Sequence, residues 1–246
     1  MTRCALLGAS GRMGRAITAL IGEGDFAGLT IASTWRSSDE NEALVEALSV
    51  ADIAIDFTTA AATPGVITAL HKHPLPIVSG TTGLDAALLD DIDRLGERMP
   101  VLHDGNMSIG VAVLTQVVAQ AASRLLGYDV EISDIHHRDK RDAPSGTALQ
   151  LGHAVAEARG DQLSYVTRDS DVAREAATQI GFSAMRGGGV IGEHTVAFLG
   201  EHDRLELRHI ASDRRLFAAG ALRAAQWLVN MPAGRYTVAD MLTQKV

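Results

Sequence analysis

The spacing of apolar and polar positions changes character midway along the chain. Over roughly the first hundred residues, short apolar runs alternate with stretches whose apolar residues recur at helical spacing. Residues 3–7, 29–35, 52–57, 76–79 and 101–103 read as strands bounded by polar or glycine-rich segments. Residues 15–21, 42–48 and 85–98 read as helices, and Thr63-Pro64 opens another, because proline suits a first helical turn. Strands that alternate with helices predict a parallel sheet with helices on both faces.

The second half differs. Residues 109–126 form a long apolar helical stretch. Residues 128–137 alternate like a strand, with Val130, Ile132 and Ile135 expected on one face and Asp129, Glu131 and Asp134 on the other. A helix is expected over 147–158, a polar and partly irregular stretch over 159–179, and strands over 181–184, 194–199 and 205–210, the last two joined by a turn at 200–204. Successive strands with short turns predict an antiparallel sheet open on one face. Residues 212–230 close with a helix that is expected to return to the first half. The change of pattern near residue 107 marks the domain boundary, giving one domain of 1–107 with 214–246 and a second of 108–213.

The first candidate chemistry lies after the first strand, in Gly8-Ala9-Ser10-Gly11-Arg12-Met13-Gly14. Glycines permit a tight turn and close approach of backbone N–H groups to a pyrophosphate, and a following helix N-terminus adds partial positive charge. The spacing G-x-x-G-x-x-G is one residue off the usual dinucleotide fingerprint, and a purely structural turn would read the same. Its place in the first strand-to-helix turn favours nucleotide binding. The end of the second strand, Ser33-Thr34-Trp35-Arg36-Ser37-Ser38, carries no acid to hold ribose hydroxyls; Arg36 and the serines either hold a 2′-phosphate, which would favour NADPH over NADH, or form an ordinary polar loop, so the nucleotide preference stays open at this point. Asp56-Phe57-Thr58 and Gly80-Thr81-Thr82-Gly83 stand at further strand ends, where the crevice of an open α/β sheet binds ligands.

Charge sharpens the second candidate. The chain of 246 residues has 30 acidic and 22 basic residues, a net charge of −8. That disfavours nucleic-acid or anionic-membrane binding, which needs a basic footprint. Against this background, His136-His137-Arg138-Asp139-Lys140-Arg141-Asp142-Ala143-Pro144-Ser145-Gly146-Thr147-Ala148 gathers imidazoles, an amine and a helix start in one loop. Asp142 or Ser145 is the candidate cap, with Pro144 in the first turn, and the N–H groups of Ser145, Gly146 and Thr147 then point at a carboxylate. Adjacent strand residues face opposite ways, so His136 and His137 do not chelate one ion, and no metal is expected. A solvated charged loop is the plainer alternative. Arg186-Gly187-Gly188-Gly189-Val190-Ile191-Gly192-Glu193-His194-Thr195 either approaches a ligand or merely joins strands. Arg214 opens the last helix, where a cation is not favoured, which points to a functional or interdomain role. Trp35 and Trp227 read as packing residues. The lone Cys4 sits in an apolar run and excludes internal disulfides and multi-cysteine metal sites. No signal-like or membrane-spanning apolar stretch is seen, so a cytoplasmic location is expected.

These residues closely resemble the 4-hydroxy-tetrahydrodipicolinate (dihydrodipicolinate) reductase family. The 8–14 glycine motif, Asp56-Phe57-Thr58, Gly80-Thr81-Thr82-Gly83, Asn106-Met107-Ser108-Ile109-Gly110, the 136–148 block, Gly192-Glu193-His194-Thr195 and the stretch from Arg214 to Phe217 carry the resemblance, in order, over nearly the whole chain. The resemblance implies an α/β fold: a Rossmann-like parallel-sheet dinucleotide domain, with an α+β substrate and oligomerisation domain around a mixed sheet. It implies NAD(P)H-dependent reduction of a small dicarboxylate in the diaminopimelate route to lysine, by a homotetramer. By position it makes His136 the proton donor or acceptor and Lys140 the proton donor, and sets His137, Ser145, Gly146 and Thr147 against substrate carboxylates. Gly8, Ala9, Ser10, Gly11, Arg12, Met13, Gly80, Thr81, Thr82, Asp104, Gly105, Asn106 and Met107 fall on cofactor-contact stretches. Asp104-Gly105 replaces residues that are frequently small and apolar, Met107 a frequent Phe and Asp134 a frequent Glu. Because cofactor and catalytic residues fall in different domains, closure hinged near 106–108 and 212–214 is expected. Another two-domain dehydrogenase, of aspartate or homoserine type, and a non-enzymatic dinucleotide sensor are the alternatives. A sensor has no need of His136, Lys140 and the Ser-Gly-Thr turn together.

Overall fold

The computed structural model describes residues 1–167 and 179–243. Contacts divide the chain into two compact units, residues 1–109 with 214–246, and residues 110–213.

In the first unit, β1 (Thr2–Leu7), β2 (Leu29–Trp35), β3 (Ile53–Asp56), β4 (Ile77–Ser79) and β5 (Pro100–His103) fall on the predicted runs. They alternate with α1 (Arg12–Gly22), α2 (Asn41–Ser49), α3 (Thr63–Lys72) and α4 (Ala86–Gly96). Every strand pair in this sheet is parallel. The inner strands β1, β3 and β4 are buried over most of their length because helices cover both faces, whereas the edge strand β2 keeps exposed positions. Leu6 and Leu7 are fully buried, each contributing about 1.5–3 kcal/mol. Cys4 is equally buried, and burial pushes its thiol up to about 11, so it packs rather than reacts. With a short C-terminal strand, β11 (Gly234–Tyr236), at one edge, strand order is β11-β5-β4-β3-β1-β2. The chain leaves β1 toward one edge and resumes at β3 toward the other, so the loops after β1 and β3 flank the crevice where such sheets bind ligands.

Two differences concern α1 and the sheet edge. The glycine motif was expected to be all turn, but α1 begins inside it at Arg12, with Gly11 as N-cap and Gly14 buried. A short strand, β11 (Gly234–Tyr236), and a helix, α8 (Val238–Thr243), follow the long C-terminal helix α7 (Arg215–Leu228) and were not predicted. β11 has no apolar run of its own; the Arg235 guanidinium holds it to β5, donating to the His103 carbonyl at 3.0 Å. Gly220 of α7 passes so close to the chain at Met107 that an added Cβ would lie 1.8 Å from that carbonyl oxygen. Trp35 is buried as expected, while Trp227 is half-buried and meets Tyr236 edge-on at 5.2 Å. Arg215, next to Arg214, pairs with Glu23.

In the second unit, α5 (Ile109–Arg124) precedes β6 (Asp129–His136), α6 (Gly146–Arg159), β7 (Tyr165–Thr167), β8 (Ile180–Arg186), β9 (Gly192–Leu199) and β10 (Arg204–Ala211). The irregular stretch expected over 159–179 contains β7; residues 168–178 lie outside the described residues. The sheet order is β10-β9-β6-β8-β7. β9 pairs antiparallel with β10 and β6, but β8 pairs parallel with both β6 and β7. The sheet is therefore mixed, not antiparallel throughout, because β6 and β8 are joined through α6 rather than by a turn. Leu114, Val118, Ala148, Leu151 and Val155 from the two helices bury one sheet face with Ile132, Phe182, Val196 and Phe198.

One expectation about β6 is overturned. Its buried residues are Val130, Ile132, Asp134 and His136, and Ile135 points the other way. Strand side chains alternate with a period of two, so Asp134 follows Ile132 onto the inner face despite its charge. What compensates that burial is the centre of the candidate site.

Candidate active site

The first unit contains a glycine-built crevice. Gly8 has φ +84°, and a Cβ there would lie 2.5 Å from the Phe57 carbonyl oxygen. The Gly11 N–H donates to the Gly8 carbonyl at 3.0 Å. The Gly8 N–H donates to the Trp35 carbonyl at 2.8 Å, which brings the end of β2, and Arg36 after it, beside the glycine loop. α1 has no side-chain cap and no acid in its first turn, so its N–H groups and positive end suit a phosphate.

A hollow in front of this turn is lined by Gly11, Arg12, Met13, Phe57, Thr58, Thr59, Ala60, Gly80 and Thr82. An adjoining one is lined by Met13, Phe57, Gly80, Asp104, Gly105, Met107 and Phe217. A Cβ on Gly80 would enter the Phe57 ring, so the residue must be glycine for the two loops to meet. A glycine-lined loop, an open helix end and a long contiguous hollow fit a dinucleotide.

Asp56 organises this crevice from below. Its buried carboxylate accepts from the Thr58 N–H at 2.9 Å, the Thr58 hydroxyl at 2.7 Å, the Ser79 hydroxyl at 3.1 Å and the Thr81 hydroxyl at 3.0 Å. Thr81 is thus turned inward, and its carbonyl meets His103 Nε2 at 3.0 Å. Asp104 accepts from the Asn106 N–H at 3.0 Å and from the Val238 N–H at 3.2 Å; Asn106 in turn accepts from the Ser108 N–H at 2.9 Å. Asp104 and Gly105 therefore line the second hollow on a loop that two side-chain turns hold in shape. Gly8, Ala9, Ser10, Thr81 and Asn106 shape the walls without lining either hollow, and Arg36 stands outside both, exposed. The nearby Asp39 accepts from the Arg36 N–H at 2.9 Å, so that acid closes its own turn.

The second unit holds the His/Lys loop. Ser145 is the N-cap of α6, its hydroxyl accepting from the Ala148 N–H at 3.2 Å. Pro144 thus precedes the cap rather than sitting in the first turn, and Ser145, not Asp142, stands at the N-cap position. Beneath the cap lies a buried polar cluster. Asp134 Oδ2 accepts from the Ser145 N–H at 2.6 Å, and Arg186 Nη1 donates to Asp134 Oδ1. His194 Nε2 meets the Ser145 hydroxyl at 3.1 Å. The rings of His136 and His194 stack edge-to-face with centroids 5.0 Å apart.

The loop above is pinned from two sides. Arg186 Nη2 donates to the Asp142 carbonyl at 2.6 Å, and the Arg138 N–H donates to the Gly188 carbonyl at 3.3 Å. The glycine-rich 186–192 stretch therefore lies against the loop that carries Lys140, whose ammonium pairs with Asp142 at 2.8 Å.

The electrostatics follow from this packing. Burial raises the Asp134 carboxyl, but hydrogen bonds from Arg186 and Ser145 outweigh it and hold it below the usual carboxylate range. Burial lowers His136, with the positive charges of Lys140 and Arg186 adding to it and Asp134 opposing. Burial also drops His194 to about 4, helped by His136. Both imidazoles are therefore neutral near pH 7. Asp134, His136 and His194 present ligand atoms within 4.8 Å of one another. The Arg186 guanidinium and the Ser145 N–H already donate to both Asp134 oxygens, and the guanidinium supplies the positive charge that the carboxylate faces.

The structure brings His136, His137, Lys140, Ser145, Gly146 and Thr147 onto one strand end, loop and helix start, as their sequence adjacency implies. Sequence reasoning placed Phe57 on a crevice loop, which the hollows bear out, but missed Asp134, Arg186 and His194 as supports and Phe217 as a crevice wall. Strict alternation along β6 could have signalled Asp134; nothing in the chain order signals that Arg186 meets it.

Comparison with known proteins agrees. Residues 2–107 match the model for "Dihydrodipicolinate reductase, N-terminus" and residues 110–242 that for "Dihydrodipicolinate reductase, C-terminus". The 4-hydroxy-tetrahydrodipicolinate reductase of Wolinella succinogenes is 40% identical over 254 residues, covering 98% of this chain and 99% of that one. Among solved structures, dipicolinate-bound dihydrodipicolinate reductase from Paenisporosarcina sp. TG-14 superposes with TM-score 0.75 at 22% identity, covering 96% of this chain and 97% of that one. An amine dehydrogenase from Mycobacterium smegmatis reaches TM-score 0.62 at 14% identity, covering 97% and 95%, so the fold alone is shared with other dehydrogenases.

Proposed function

The chain belongs to the dihydrodipicolinate reductase family, NAD(P)H-dependent oxidoreductases of lysine and diaminopimelate biosynthesis, and from that membership we propose how its own residues perform the reduction. Residues 1–107 with 214–246 hold the dinucleotide, its pyrophosphate against the N–H groups of Arg12 and Met13 at the start of α1. Residues 108–213 hold 4-hydroxy-tetrahydrodipicolinate. When bound, the reduced nicotinamide supplies the hydride.

The residues of the second unit do the rest. One substrate carboxylate sits at the N-terminus of α6, facing Gly146 and Thr147, with the Ser145 cap held rigid beneath it. His137 and Lys140 meet the substrate from the loop. The substrate's hydroxyl leaves as water, and the Lys140 ammonium gives the proton that completes the reduction and regains one from solvent, to which it is partly open. His136, kept neutral by burial, donates or accepts a hydrogen bond without adding charge. The observation that carries this reading is the coincidence of an ammonium, two imidazoles and a capped helix start on one pinned loop of an acidic protein.

Two finer statements follow. The exposed Arg36, beside the glycine loop at the end of β2, favours the 2′-phosphate of NADPH. The face of the mixed sheet opposite α5 and α6 exposes Met185 and Ile210 at 55% and 52%; this is the surface through which a cytoplasmic homotetramer assembles.

A coupled assay supplying the condensation product of pyruvate and aspartate semialdehyde tests the whole reading, with NADPH and NADH oxidation followed separately. Oxidation with a higher kcat/KM for NADPH is expected. Lys140→Ala should lower kcat about 10²–10⁴-fold with little change in cofactor KM. No oxidation of either nucleotide rejects the substrate; undiminished turnover in Lys140→Ala rejects the proton donor.

A further inference from the structure

The Asp142 carboxylate lies on groups that the substrate needs. Its Oδ2 is 2.8 Å from Lys140 Nζ, and the Gly146 N–H at the start of α6 helps Lys140 to hold the carboxyl below its usual range. Those are a positive amine and a helix N-terminus, the pair of donors assigned above to a substrate carboxylate. One ammonium and one N–H do not serve two carboxylates at full strength.

The backbone beneath is fixed while the side chain is free to turn. The Asp142 carbonyl accepts from Arg186 Nη2 at 2.6 Å, and the Lys140 N–H donates to the His137 carbonyl at 3.1 Å. The Asp142 side chain is 56% exposed and that of Lys140 24%. Rotation about the Asp142 side-chain bonds alone would release Lys140 to an incoming anion, with no rearrangement of the loop.

We propose that Asp142 is an internal competitor for the substrate carboxylate: it holds Lys140 and the α6 N-terminus in place and is displaced when a dicarboxylate binds. This rests on the assignment of residues 136–147 to substrate. The device selects ligands whose carboxylate outbids an attached carboxylate, which a dianion does and a neutral ring does not. Asp142 is a positioning and specificity residue, not a proton carrier.

Dipicolinate is the probe, titrated calorimetrically into the full-length wild type, Asp142→Asn, Asp142→Ser, Asp139→Asn and Lys140→Ala in the presence of the same nucleotide. Asp139 is exposed in the same loop, so its neutralisation changes the charge without touching the pair. Asp142→Asn and Asp142→Ser should bind dipicolinate about two- to fivefold more tightly, the scale of a partly exposed ion pair. Asp139→Asn should gain less. Equal or weaker binding in both Asp142 variants overturns the proposal, as does an equal gain in Asp139→Asn, which would make it bulk charge. A wild type that does not bind dipicolinate, or a Lys140→Ala variant that binds it as well as wild type, removes instead the site assignment on which the proposal stands.

Discussion

His194 shows how burial sets chemistry at a single residue. The folded protein holds it at about 4, below the 6.5 of an ordinary imidazole, chiefly because burial penalises the charged form. The unfolded chain therefore takes up the proton first as pH falls. Stability from this group is complete above about pH 6.5 and drains away between about 6.5 and 4, by up to ~3 kcal/mol. Asp134 adds a second loss at lower pH, since its depressed carboxyl stabilises the fold only while ionised. Urea denaturation at pH 7.5, 5.5 and 4.5 should show wild-type stability falling steeply, and His194→Gln falling less. His136 and His209, also lowered by burial, keep some slope in the variant. Parallel losses in the two proteins would clear His194 of the effect.

At the scale of the element, the start of α6 is the working part. A helix N-terminus presents an anion with free N–H groups and a positive end, and holds it at a fixed place when the first turn is itself held. Here the cap is held twice: the Ser145 N–H by Asp134 and the Ser145 hydroxyl by His194 and Ala148. Ser145→Ala keeps the first hold and loses the others. It should cost about 0.5–2 kcal/mol of stability, read by denaturant midpoint, and raise the substrate KM more than it lowers kcat. A fall in kcat at unchanged KM would mean that the α6 start does not bind the ground-state carboxylate. The same element shows why β6 tolerates Asp134: alternation forces the acid inward, and Arg186 at the end of β8 neutralises it.

For the whole molecule, the second unit spends only one sheet face on its own core. Phe198, Val196 and Phe182 are buried under α5 and α6, whereas Met185 and Ile210 lie exposed on strands at the other face. Water contact with large apolar residues grouped on a sheet is costly, about 25 cal/mol per Å². Ile210→Glu, beside Glu193 in the register, should therefore break the assembly. Sedimentation velocity should find the wild type tetrameric and the variant dimeric or monomeric. Identical sedimentation of the two would place the interface elsewhere.

Local pattern alone determined the order and type of most elements, the parallel sheet, the glycine turn and the His/Lys loop. Each depends on residues close in sequence: apolar runs make strands, glycine frees a turn, and six of the predicted catalytic and substrate-binding residues lie within 136–147. Tertiary structure decided what distant segments supply. Arg186 and His194 reach Asp134 and Ser145 across strand pairings, and Asp56 gathers Thr58 beside it and Ser79 and Thr81 from the end of the neighbouring strand β4. β11 exists because β5 offers it an edge and Arg235 a tether, not because its residues favour a strand. The direction in which Asp134 faces belongs to the same class: a hydrophobicity pattern assigns charge to solvent, whereas a pleated strand assigns it by parity, and only a partner folded in from elsewhere makes the second outcome stable.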